Sequence, residues 1–217
     1  MSKILKIIFV GIFSIFLLPS VFANTEVSGT ISQDTTWTLA NSPYIVTNNI
    51  TFSANYTLTI EPWVVVKFVN SRMIYVYGTI IANWTESQKI IFTSVNDHST
   101  EAWWNNGYWT WSPASWQWRN IRIYNPTSNN SILNHVKIQY GSWTDWYPLY
   151  LYNTNSVVSN TTIQYSNWDG IYINWWNSTL DSNIIREFWT YWVRINAWNT
   201  TLTNNLIDIK VILLVML

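Results

Sequence analysis

SVVSNTTIQYSNWDGIYINWWN (156–177), STLDSNIIREFWTYWVRINAWN (178–199) and TTLTNNLIDIKV (from 200) are one unit written three times, with a period of 22 residues. Val158, Leu180 and Leu202 superpose, as do Ile163, Ile185 and Ile207. Ile171 falls on Val193, and Ile173 on Ile195. One unit earlier, SILNHVKIQYGSWTDWYPLYLYN (131–153) aligns with small insertions, placing Leu133 on Val158 and Ile138 on Ile163. Self-similarity on this scale is the signature of a solenoid, in which each repeat buries its apolar face against the next.

What fills each period decides which solenoid. Ile171-Tyr172-Ile173 and Val193-Arg194-Ile195 alternate every second residue, so they read as strands with one side inward. Asn, Ser, Asp and Gly separate them, and no segment after residue 23 sustains a 3.6-residue period. The Leu/Asn spacing of leucine-rich repeats is absent. The expected fold is all-β, a right-handed parallel β-helix solenoid with coils of about 22–25 residues. Each strand should pair with its equivalent one coil away, at ~4.8 Å. Leu133, Val158, Leu180 and Leu202 should form one buried column, and Ile138, Ile163, Ile185 and Ile207 another.

Composition narrows the function. The chain has 217 residues with 11 basic against 11 acidic side chains, so it carries no positive field for nucleic acid. It has no cysteine, which excludes disulfides, zinc–thiolate sites and cysteine nucleophiles. Two histidines, His98 and His135, leave little for a metal cluster. Abundant Asn and Thr with 18% aromatics suit a β-rich, turn-rich chain.

The opening MSKILKIIFVGIFSIFLLPSVFA (1–23) has a short basic region at Lys3 and Lys6, an apolar stretch from Ile7 to Leu18, and small residues before Asn24. This is the pattern of a secretory signal peptide, and it gives the chain its only expected contact with a membrane. The β-helix is expected over 24–207, with a loop inserted near 96–117 where the period lapses. Residues 208–217 end the chain in an anomalous apolar run, IDIKVILLVML from Ile207. A solenoid end needs a polar cap, so the expectation is that the native protein is longer, through truncation or a frame slip. Reading on past the stop in all three frames should then reveal further coils.

GTISQDTTWTLANSPYIVTNNITFSANYTLTIEPWVVVKF (29–68) resembles the opening of secreted right-handed parallel β-helix proteins of bacterial surfaces, of the pectate-lyase-like superfamily. Those openings read "LTIEPG-VVVKF" and continue with a "GTL-AnG" turn and a "PI-FTS" strand. GTIIAN (78–83) and IIFTS (90–94) occupy those places here. The resemblance covers roughly residues 29 to 207. It implies the fold and little about activity, because this superfamily includes lyases, hydrolases, esterases, adhesins and inert stalks.

Chemistry is sparse. Aligning TDW (144–146) with WDG (168–170) stacks Asp145 on Asp169 in successive coils, where two carboxylates could share a proton or a calcium ion. Tyr191 stands at this place in the next coil, so the column stops. Arg194 and Arg186 are candidates to face a polysaccharide. The competing reading makes the aspartates turn caps and the arginines a solvated strand face. His135 reads as a turn residue, and Asn160, Asn183 and Asn205 as stacked bend amides. No Ser/His/Asp spacing, phosphate loop or metal motif is present. The expected function is a secreted or surface-displayed module of non-enzymatic type, for adhesion, glycan contact or a stalk. Its expected partner is polysaccharide or cell-surface glycan, with Tyr147, Tyr150 and Tyr172 available to stack on sugars. The alternative is a polysaccharide lyase or glycoside hydrolase acting on acidic glycans through Asp145, Asp169 and Arg194.

One count is abnormal: 17 Trp against 6 Gly. A chain of this length usually carries Gly at ~7%. Trp63 follows Glu61-Pro62 and Trp84 follows Asn83, both places where turn geometry asks for Gly. Trp103-Trp104 and Trp175-Trp176 sit among Asn residues. Gly170 in one coil superposes on Trp192 in the next, and Asp169-Gly170 on Asp145-Trp146. Trp37 and Trp118 fall where the resembled family has tryptophan, and Trp168 is ambiguous. The other fourteen read as glycines encoded by UGA, a codon some bacteria translate as glycine. These fourteen should therefore lie mainly at turns and be more exposed than Trp37 and Trp118. The competing reading is a tryptophan-rich, sugar-binding surface.

Overall fold

Short alternating runs, each closed by a turn former, fold here into strands that carry one residue of every pair inward. The structure, a computed structural model, describes residues 24–102, 112–124, 131–175, 177–188 and 193–208. In them the strands are β1 (Thr25–Ile31), β2 (Thr35–Trp37), β3 (Tyr44–Phe52), β4 (Thr57–Ile60), β5 (Val65–Phe68), β6 (Ile74–Val76), β7 (Thr79–Asn83), β8 (Ile90–Ser94), β9 (Ile121–Tyr124), β10 (Ile132–Asn134), β11 (Val136–Gln139), β12 (Leu149–Tyr152), β13 (Val157–Ser159), β14 (Thr162–Gln164), β15 (Ile171–Asn174), β16 (Thr179–Asp181), β17 (Ile184–Arg186), β18 (Val193–Asn196), β19 (Thr201–Thr203) and β20 (Leu206–Asp208).

These strands stack in parallel as a β-solenoid of about 7 turns, with about 22 residues per coil. Each coil contributes one strand to each of three faces. The first face runs β6–β9–β12–β15–β18, the second β5–β8–β11–β14–β17–β20, and the third β2–β4–β7–β10–β13–β16–β19. β3 joins the first two faces, because Tyr44 to Val46 pair with β5 while Ile50 to Phe52 pair with β6. β1 lies alongside β3.

The register is the one the repeats require. Leu133, Val158, Leu180 and Leu202 are successive partners, and so are Ile138, Ile163, Ile185 and Ile207. Ile171 pairs with Val193 and Ile173 with Ile195. Up to Leu180, Ile185 and Ile173 these columns belong to one core cluster that runs from Trp37 to Phe188; Leu202, expected to be buried with them, is exposed instead. Burying each aliphatic side chain contributes roughly 1.5–3 kcal/mol, so the core is the main source of stability. Cover thins at the last described coil, where Leu180 at 0% exposure is followed by Leu202 at 41%.

The corners are tight because the backbone turns through left-handed residues. His135, Asn160, Ser182 and Asn204 form one such corner column, with φ of 55°, 47°, 56° and 53°. This sets Asn160 apart from Asn183 and Asn205, with which the sequence grouped it. The interior bend column is instead Thr161, Asn183 and Asn205. There the Thr161 N–H donates to Asn183 Oδ1 at 3.0 Å, and Asn183 Nδ2 donates to Asn205 Oδ1 at 2.9 Å. Gly78 is obligatory for another reason: a Cβ there would meet the Tyr56 carbonyl oxygen at 2.0 Å.

The inserted loop is described over its two flanks, up to Ala102 and from Ser112, and β9 begins at Ile121. Residues 1–23, expected to be a signal peptide, the tail after Asp208, Tyr191, Trp192 and the pair Trp103-Trp104 lie outside the described residues. Among the described residues no helix is long and apolar enough to cross a membrane.

Candidate functional site

On the first face, alternation sends Tyr75, Arg122, Tyr150, Tyr172 and Arg194 outward as one column, in strand register. Tyr124, Tyr152, Asn174 and Asn196 form the next outward column. Parallel pairing without slip places like on like at one strand spacing, which suits flat rings. Tyr150 and Tyr172 stack with centroids 5.1 Å apart and planes at 15°. Tyr77 and Tyr124 stack at 5.4 Å, and Tyr124 meets Tyr152 at 5.3 Å. Tyr147, from the bend before β12, closes over Tyr150 and Tyr172 at 5.0 and 5.1 Å. Arg122 sits between Tyr75 and Tyr150, 5.8 Å from each ring centre, and Arg194 lies 5.8 Å from Tyr172.

The rings use their faces on one another. Tyr150 is only 8% exposed, so it cannot offer a face to a sugar, as the sequence reading allowed. Tyr77 is 43% exposed and is the open rung. What the surface presents is ring edges, phenol hydroxyls and the amides beside them. Asn174 Nδ2 donates to the Tyr150 hydroxyl at 3.2 Å, and Asn196 Nδ2 donates to Asn174 Oδ1 at 3.0 Å. Burial pushes the Tyr147 phenol up to about 12 and raises Tyr150, so both remain neutral donors at physiological pH.

Asp145 and Asp169 lie in the bends before the paired strands β12 and β15, at one corner of successive coils. Each has its own arginine. Arg119 grips Asp145 with two hydrogen bonds, Nε to Oδ2 at 2.6 Å and a terminal nitrogen to Oδ1 at 2.9 Å. Arg122 adds a contact to Oδ1 at 2.7 Å. The hydrogen bond that Arg119 donates to Asp145 raises the Arg119 pKa. Burial opposes the Arg122 charge, and Asp145 with the Tyr124 hydroxyl outweighs it, leaving that pKa raised as well. Asp169 is fully buried, with Arg194 Nε at 3.3 Å. The Asp145 carboxylate is an acceptor already in use, and Arg122 and Arg194, each beside an aspartate, stand in the same outward column as the rings they contact. Arg186 stands elsewhere, on the second face, where it donates to Gln164. His135 is a corner residue at positive φ. Among the described residues no three His, Cys, Asp or Glu side chains are placed to hold a metal ion.

Sequence reasoning missed Arg119 and Arg122, because their tie to Asp145 crosses from one coil to the next. It also missed Tyr75, Tyr77, Tyr124 and Tyr152. The signal was available in the alternation of IRIY (121–124) and LYLY (149–152), which face each other residue for residue. Compared with family models, curated proteins and solved structures, the chain matches none.

Proposed function

We propose that this chain is a secreted or surface-displayed β-helix module of non-enzymatic type, whose tyrosine face contacts glycan. The observation that carries it is the ladder itself: a row of phenols and amides across five paired strands, with Arg122 and Arg194 set against the rings and held by Asp145 and Asp169. Such a surface offers donors, acceptors and aromatic edges to hydroxyl-rich chains. A polysaccharide-containing native gel tests it. The full chain should be retarded by at least one neutral polysaccharide. The Tyr77→Ala/Tyr152→Ala variant should lose about tenfold in affinity while keeping its far-UV spectrum. Equal retardation of the two proteins would remove this face from the function.

We also propose that the fourteen tryptophans set apart above are glycines in the native product, read from UGA. Seven of them are described, Trp63, Trp84, Trp116, Trp143, Trp146, Trp175 and Trp198, and all lie outside strands. Trp63, Trp146 and Trp175 adopt φ of 63°, 67° and 86°, the left-handed region in which a Cβ is disfavoured. Trp198 is 80% exposed, whereas Trp37 and Trp118 are 2% and 0% exposed. Trp84 differs: it is half-buried, and its indole N–H donates to the Ile60 carbonyl. Gly170, matched to Trp146 by the repeat, does not share its positive φ. The gene should carry TGA at the fourteen positions and TGG at Trp37 and Trp118, and TGG at most of the fourteen would reject the idea.

A further inference from the structure

The second face carries a polar line that the tyrosine ladder does not use. Lys67, Thr93, Gln139, Gln164 and Arg186 occupy one column along strands β5, β8, β11, β14 and β17. Its side chains are chained end to end. Arg186 donates twice to Gln164 Oε1, at 2.9 and 2.7 Å. Gln164 Nε2 donates to Gln139 Oε1 at 2.8 Å, and Gln139 Nε2 donates to Asp97 Oδ2 at 2.6 Å. The Lys67 ammonium, fully buried, donates to the Asp97 carbonyl at 2.8 Å. The arginine at one end and the carboxylate at the other fix which way both amides point.

The last three strands of this column, β11, β14 and β17, are each followed by a left-handed residue, Tyr140, Tyr165 and Glu187, with φ of 63°, 56° and 63°. The turn throws the two tyrosines into a stack, with centroids 5.0 Å apart and planes at 11°. Across from them runs the flank of the inserted loop. Between the two lies a cleft of about 370 Å³, lined by Pro113, Ser115, Tyr140, Tyr165, Glu187 and Phe188. Pro113 and Tyr140 also line a second hollow of about 300 Å³ that reaches Asp97, His98 and Ser112. Beside it, Gln117 is 7% exposed and its Oε1 has no hydrogen-bond partner.

We propose that this corner cleft is a second binding site, and that its ligand is a neutral saccharide of one or two rings. Its volume lies in the range of small-ligand pockets, and its lining is aromatic with a few polar groups, as such pockets require. The two phenols, stacked on each other, bring ring edges and hydroxyls to the cleft, and Pro113 and Phe188 give it apolar lining for the C–H groups of a sugar ring. Glu187 accepts hydroxyl donors, and Ser115 can donate or accept. Burial, helped by Asp97, pushes the Tyr140 phenol up to about 12, so it serves as a donor. The corner holds two acidic groups, Asp97 and Glu187, and two basic ones, Lys67 and Arg186, so it carries no excess of either charge. The site is on a different face from the tyrosine ladder and stands independently of it.

The test is NMR of the full chain with labelled tyrosine rings, titrated with methyl β-glucoside, with N-acetylglucosamine and with glucuronate. A neutral sugar should shift Tyr140 and Tyr165 saturably. Glu187→Gln should weaken it about tenfold or more, and Ser115→Trp, which fills the cleft from the loop side, should abolish it. Tyr77→Ala/Tyr152→Ala should leave these shifts unchanged. No saturable shift with either neutral sugar, unchanged affinity in both cleft variants, or tighter binding of glucuronate would each overturn the proposal.

Discussion

Trp37→Gly and Trp118→Gly are expected to cost at least about 3–5 kcal/mol each, while Trp63→Gly, Trp146→Gly and Trp175→Gly should each stabilise the fold by about 1 kcal/mol. The opposite signs follow from where the rings sit. Trp118 stacks on Phe68 at 4.1 Å and donates its indole N–H to the Gln139 carbonyl at 2.9 Å, inside the core. Trp37 stacks on Tyr44 at 4.8 Å in the first coils. Either loss rivals the ~5–15 kcal/mol that holds a whole domain together. The other three are at least 47% exposed and hold a left-handed backbone that glycine adopts without strain. Urea denaturation of the five single variants checks this. A loss of stability at all three exposed positions would mean that tryptophan is the better fit there.

Asp97→Ala should destabilise the protein by about 3–5 kcal/mol at neutral pH, because it leaves the Lys67 charge buried without its counter-charge. Thr93, Gln139 and Ser99 lose their acceptor at the same time. Burial lowers the Lys67 pKa to about 8, and Asp97 opposes that shift. The folded lysine therefore sheds its proton before the unfolded one does. Between about pH 8 and the ordinary lysine value near 10.5 the unfolded chain binds more protons, so stability from this group rises with pH. Without Asp97 the Lys67 pKa falls further, so the Asp97→Ala deficit should shrink as pH rises toward about 8 and stay level above it, and Asp97→Ala/Lys67→Met should recover most of it at neutral pH. Stability of the single variant that is flat from pH 7 to 10 would contradict this account of the second-face line.

The fold was legible because a solenoid writes its contacts into the sequence as a period. Ile163 and Ile185 touch because they stand one coil apart, so alignment of the repeat is already a contact map. The bend at Asn160 was misplaced by one residue, since Asn suits both the left-handed corner and the interior ladder, and only the backbone tells them apart. The face chemistry was harder to read. Asp145 and Asp169 were visible as a column, but their partners Arg119, Arg122 and Arg194 come from other coils and from bends whose lengths break the period. The second-face line was hidden in plain residues: IQY (138–140), IQY (163–165) and IRE (185–187) repeat as cleanly as the core does. Its far end, Asp97, comes from the inserted loop, where no period exists to place it.

The tyrosine face should hold a polysaccharide without cutting it, and product release under bound conditions tests that most directly. The full chain would be incubated with each polysaccharide that retards it, and with acidic polysaccharides plus and minus calcium. New reducing ends and unsaturated termini would then be counted. The account predicts counts equal to the protein-free control throughout, with binding intact. Release of product that Asp145→Ala or Arg194→Ala abolishes would contradict it, and would make the same arginine–aspartate corner an active site.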